Sequence, residues 1–166
     1  MYGAAPFGSL PFSAFDQTEA AGGDTLRNAF RLNLESVLEL SGWIDWPHRD
    51  TLNTGLKPDA STGYFELEFA GGSEEQFTSG APTRNFYRER GQVTIRAVVR
   101  QNAGLTERNK AESYIEAVRM AFRSARFVAG SRNVRITSTG AMGGGETEAG
   151  MWAESIALAY EVYSVG

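Results

Sequence analysis

His48 is the single histidine of the chain and cysteine is absent, so any histidine relay must run through His48 and no thiolate can act as nucleophile or ligand. Ser41 and Asp45 lie near it in sequence. Serine, aspartate and histidine do chemistry together only when a strained turn presents the nucleophile, and no such turn motif stands here. His48 follows Pro47 and is expected to top a turn. Glu112 and Glu116 have the spacing of two ligands on one helix face, but without a second cluster they read as a solvated face. Gly143-Gly144-Gly145 has neither the Gly-x-Gly-x-x-Gly pattern nor a Lys-Ser/Thr ending, and a strand is expected after it, so it reads as a hairpin loop rather than a phosphate cradle. Trp43, Trp46 and Trp152 have the surface to stack on bases or sugars, although bulky aromatics more often fill cores. The expectation is a chain with no catalytic residue, no cofactor and no metal.

The elements that carry these residues follow from periodicity. In Gln92–Arg100, Val93, Ile95, Ala97 and Val99 share one face while Thr94, Arg96 and Arg100 share the other, which predicts a half-buried strand. From Thr106 the period changes: Ala111, Tyr114, Ile115, Ala117, Val118, Ala121, Phe122 and Ala125 make one helical stripe. Thr106 is the expected cap, with Glu107, Glu112 and Glu116 toward the positive end of the dipole and Arg119, Arg123 and Arg126 toward the negative end. Val134 and Ile136 mark a strand at 133–139, and 152–165 reads as a second long one. Upstream, Asp24 is a candidate N-cap before Leu26, Ala29, Phe30, Leu34, Val37 and Leu38, a second helix ending near Ser41-Gly42. Trp43, Ile44 and Trp46 start a short extended segment, and 48–63 reads as an irregular connection. Tyr64–Ala70 alternates Phe65, Leu67 and Phe69 against Tyr64, Glu66 and Glu68, a strand beside Gln92–Arg100. The fold expected is α+β: a mixed, mainly antiparallel sheet with two helices packed on one face.

At 166 residues, with 42% hydrophobic and 11% aromatic residues, the chain is expected to be one domain (24–166) preceded by an arm (1–23). No apolar run approaches the roughly 20 residues that span a bilayer, and the first residues lack a signal-peptide pattern, so a soluble, untargeted protein is expected. The net charge of −4 disfavours a general nucleic-acid binder. Its distribution is uneven: 12 basic and 4 acidic residues lie between Arg84 and Arg135, against 4 basic and 16 acidic elsewhere. Either these charges meet across strands, as Glu66 and Glu68 against Arg96 and Arg100 would, or surfaces of opposite sign meet between neighbouring copies.

Two stretches lack regular structure in this reading. The arm is rich in Gly, Ala, Ser and Pro, and Phe7, Phe12 and Phe15 are its anchors, expected to bury against a neighbouring subunit or another protein. Gly71–Gly91 is too long for a tight turn and reads as a functional loop that carries Glu74, Glu75, Phe77, Arg84, Phe86, Tyr87, Arg88 and Arg90. With the basic end of the helix that starts near Thr106, Arg119, Arg123 and Arg126, this loop is the expected interface.

In this order of elements, with Ile44-Asp-Trp-Pro47, Tyr64–Phe69, Arg90-Gly91 leading into Gln92-Val-Thr-Ile95, the Ala111–Phe122 helix and Met151-Trp152, the chain resembles the tail terminator proteins of long-tailed phages and of phage-like gene transfer agents. The resemblance covers about Asp24 to Val165. His48 stands where such proteins commonly carry Asn, and Asn102 replaces a glycine before the helix; neither position is catalytic in that family. The resemblance implies a subunit of a homo-hexameric ring that caps the tail tube, stops its polymerisation and joins the head connector. Its partners would be further copies of itself, the tail tube protein and the head-tail connector protein, with DNA passing through the lumen without specific binding and no membrane involved. It would reside in the neck or tail of a virion or phage-like particle assembled in the host cytoplasm. A head-completion or neck protein, or a small α+β enzyme or ligand-binding domain, are the alternatives.

Overall fold

Four stretches that alternate apolar and polar residues fold into long strands, and two helical stripes cover one side of the sheet they form. The computed structural model describes residues 22–40, 48–50, 63–76, 78, 85–102, 104–147 and 150–165. Among them the chain runs α1 (Gly22–Leu40), β1 (His48–Asp50), β2 (Tyr64–Gln76), β3 (Phe86–Arg100), α2 (Leu105–Phe122), β4 (Arg126–Ala129), β5 (Arg132–Glu146) and β6 (Met151–Val165). The strands make one sheet in the order β1-β2-β3-β6-β5-β4, with β1 parallel to β2 and all other neighbours antiparallel. The fold is α+β, as the periodicity implied.

The inner face carries Phe65, Leu67, Val93, Ile95, Ile156, Leu158, Tyr160 and Val134, which pack against Leu26, Phe30 and Leu34 of α1 and Ala111, Tyr114, Val118 and Phe122 of α2. Phe30 is the centre: it is 0% exposed, and the rings of Phe69, Phe122, Phe127 and Tyr160 lie 5.0–6.1 Å from its own. Truncating such a side chain costs about 3–5 kcal/mol. On the outer face Arg96 reaches Glu66 at 3.4 Å and Glu68 at 2.5 Å across β2 and β3, so at this point the charges do meet across strands. At one end of that face Tyr64, Val98 and Ala153 form a small second apolar cluster.

Several local expectations are corrected. Gly71–Gly91 is not one loop: β2 continues to Gln76 through a bulge between Ala70 and Ser73, and β3 begins at Phe86, so most of the stretch is a paired ladder. Gly143-Gly144-Gly145 is not the hairpin loop either. These residues pair with Ser155, Glu154 and Ala153 inside β5, which runs on to Glu146, and beyond it the Thr147 N–H donates to the Met151 carbonyl at 3.2 Å. His48 opens a strand parallel to β2 instead of topping a turn. Helix α1 begins at Gly22, two residues before the expected Asp24 cap, and α2 begins at Leu105 after Gly104, with no side chain capping it, so Thr106 is already helical.

The basic helical row is also broken. Helix α2 stops at Phe122, Arg123 is extended, and Ser124 takes φ +59, so Arg126 belongs to β4. Tertiary packing overrides the helical period here, because Phe127 must reach Phe30 and Phe122 across 5.0 and 6.4 Å. Strand β4 itself was not expected. Phe7, Phe12, Phe15, Trp43, Trp46, Phe77 and Arg84 lie outside the described residues. Among the described residues no helix is long and apolar enough to cross a membrane.

Candidate subunit interface

Because strand residues alternate between faces, Phe86, Arg88 and Arg90 share the outer face of β3, and the register carries their neighbours across the sheet. One row runs Ser73, Arg90, Glu161, Arg135, Arg126; the next runs Glu75, Arg88, Tyr163, Asn133, Val128. Beyond them Phe86 pairs with Val165. Four arginines thus meet two carboxylates on a surface edged by Phe86, Val165 and Val128, which are 48%, 60% and 62% exposed. A shallow groove of about 380 Å³ lies along Arg126, Val128, Asn133, Arg135 and Tyr163.

The ion pairs within the patch fix its geometry. Arg88 binds Glu75 at 2.5 Å, and that hydrogen bond raises the guanidinium pKa above its ordinary value. Glu161 accepts from the Tyr163 hydroxyl at 2.8 Å and from Arg90 at 3.0 Å; the Tyr163 bond first, then Arg90, hold its carboxyl below the usual range. Arg126 and Arg135 are exposed and stand directly opposite each other, an arrangement of like charges that is unfavourable in a sheet. Arginine and tyrosine beside exposed apolar side chains are what protein interfaces use. A nucleophile held by a base is not part of this arrangement.

Of the residues singled out in the sequence, Glu75, Phe86, Arg88 and Arg126 come together here. Glu74 is exposed but faces the helix side, opposite Glu89, and Tyr87 is half-buried on that side opposite Gln76. Arg119 is tied to Glu116 on α2 at 2.6 Å, and with Arg123 it belongs to the helical layer, apart from the patch. That bond also lowers the Glu116 pKa, so Glu116 belongs to a salt-bridged helix surface, on which Glu112 is exposed. Trp152 donates its indole N–H to Glu154 at 3.0 Å and has the Arg108 guanidinium 4.7 Å over its ring, so that ring face is covered. Arg90, from the same stretch as Arg88, joins the patch, whereas Arg135, Glu161, Tyr163, Val128 and Val165 were missed. The signal for Arg135, Glu161 and Tyr163 was their alternation with the core residues Val134, Ile136, Tyr160 and Val162.

No family model matches this chain, and no curated protein does. Solved structures do match, and one aligns over 84% of this chain and 94% of its own at a TM-score of 0.57 with 20% identity. At that identity the likeness shows the fold alone.

Proposed function

We propose that this chain is a structural subunit of a phage or phage-like particle: a tail terminator that closes a homo-hexameric ring on the end of the tail tube, stops its growth and meets the head connector. The observation that carries the reading is the outer-face patch, in which Phe86, Val165 and Val128 stay exposed around arginines whose charge the described residues only half balance. Such a surface gains most by meeting another protein surface of opposite charge, and the acidic excess outside Arg84–Arg135 supplies one in a further copy. Of the order on which the resemblance to tail terminators rests, the helix, strand, strand, helix and two long strands are present, while the Trp-Pro segment lies outside the described residues and most of the expected long loop is paired strand. In it DNA passes through the lumen without specific binding, no residue is catalytic and no cofactor is needed.

The experiment is tube growth. Tail tube protein of the same particle is polymerised with and without this chain, and lengths are measured by negative-stain electron microscopy. The reading expects capped, shorter tubes with extra density at one end. Unchanged lengths and bare ends would overturn it.

A further inference from the structure

The two rows of the patch end at opposite edges of one sheet, and among the described residues both edges are open. Strand β4 is last in the order, with Arg126 and Val128 exposed. On the other side β1 pairs only with Phe65–Leu67, so Ser73, Glu74, Glu75 and Gln76 of β2 have no strand beside them among the described residues, and all four are exposed. An edge of this kind is a template for further pairing unless something blunts it.

The hydrogen-bond alternation says which backbone groups are offered. A two-residue turn, Gly130-Ser131 with Gly130 at φ +63, joins β4 to β5. It makes Ala129/Arg132 and Phe127/Val134 the bonded pairs, and the Ile136 N–H donating to the Ala125 carbonyl at 2.9 Å follows the same alternation. The N–H and C=O of Arg126 and Val128 therefore point away from β5. Arg126 and Arg135 sit at the unbonded position, where opposed side chains come closest. Two guanidinium groups there call for a carboxylate from outside.

Strand direction supplies the remaining constraint. Four antiparallel steps separate β2 from β4, so the two run the same way, and a rotated copy can set its β2 beside β4 without reversing the sheet. Contacts of that kind are heterologous, and they make a ring when the rotation between copies closes. We infer that β4 of one copy pairs in parallel with Ser73–Gln76 of β2 in the next, joining the sheets edge to edge, with Arg126 beside Glu75. Glu75 already takes Arg88, yet a carboxylate accepts more than one donor. This inference rests on the ring reading and names its seam.

Val128→Pro is the discriminating variant. Proline removes only the outward N–H and is tolerated on an edge strand, whereas Val128→Ala keeps the donor and loses the side chain. Sedimentation velocity across a concentration series, with circular dichroism to confirm folding, reads the result. Losing one net hydrogen bond per seam raises the concentration for half-assembly by about two- to thirteenfold. Val128→Pro is expected to show that shift and Val128→Ala a smaller one. Arg126→Glu is expected to dissociate the ring, and the addition of Glu75→Arg to restore it. If Val128→Pro assembles as wild type does, or the charge exchange fails to rescue, the seam lies elsewhere while the ring reading stands. If wild type stays at the mass of one chain throughout, both fall.

Discussion

Replacing Gly91 by alanine should destabilise the fold through one identifiable contact. Gly91 lies directly opposite Tyr160 across β3 and β6, and the tyrosine ring lies over it. An added Cβ would fall 2.5 Å from Tyr160 Cζ and 3.0 Å from Cε1, and closer still to the hydroxyl oxygen. Carbon atoms prefer about 3.5–4.0 Å, so the ring or the strand must shift by about 1 Å. Tyr160 is 4% exposed and its ring is 5.4 Å from Phe30, so there is no space for it to swing into. Overpacking of this kind costs about 1–3 kcal/mol. For a chain of this length that lowers Tm by about 2–12 °C. Urea unfolding of Gly91→Ala, Tyr160→Leu and the double variant is the assay. Removing the ring removes the clash, so the double variant should lose at least about 1 kcal/mol less than the two single losses added. Additive losses, or a Gly91→Ala protein as stable as wild type, would show that the close approach does not matter.

Three further outcomes follow from the same structure. Phe86→Ala should weaken self-association more than Glu74→Gln in analytical ultracentrifugation, because Phe86 belongs to the outer patch and Glu74 faces the other way, and added salt should loosen the proposed ring only modestly; equal or reversed effects would remove the patch from the interface. Burial, and then Glu89, push the Tyr160 hydroxyl up to about 12, so its contribution to stability is complete below pH 10 and is lost as pH rises toward 12; Tyr160→Phe should flatten that alkaline loss in urea titrations at pH 9 and 11, and an unchanged slope would contradict the assignment. His48→Ala should leave assembly and tube capping intact, and a folded variant that cannot cap would reopen the case for histidine chemistry.

How much of this was legible depends on whether local pattern or long-range pairing decided the outcome. The β3 alternation, the α2 stripe through Ala111, Tyr114, Ile115, Val118 and Phe122 and the Glu66–Arg96 contact follow from period and charge, and the structure keeps all three, while Ala121 of the expected stripe is exposed. The end of α2 did not follow, because Ala125 continued the stripe while the positive φ of Ser124 and the contacts of Phe127 stopped the helix. A glycine triplet reads as a loop, yet pairing with β6 keeps Gly143–Gly145 in a strand. For the patch, Phe86 and Arg88 were visible as residue types, but the rows joining them to Glu161, Arg135 and Arg126 depend on register. That register includes bulges at Ile136/Ser138 and Ala141/Gly143 in β5, and a slip of one residue would turn Arg135 to the other face.

The most direct measurement is a cryo-electron microscopy map of the assembled particle into which this chain is fitted. The account predicts six copies in one ring between the last layer of the tail tube and the head connector, with β4 of each copy against β2 of the next. Density for this chain elsewhere in the particle, another copy number, or its absence from the particle would contradict it.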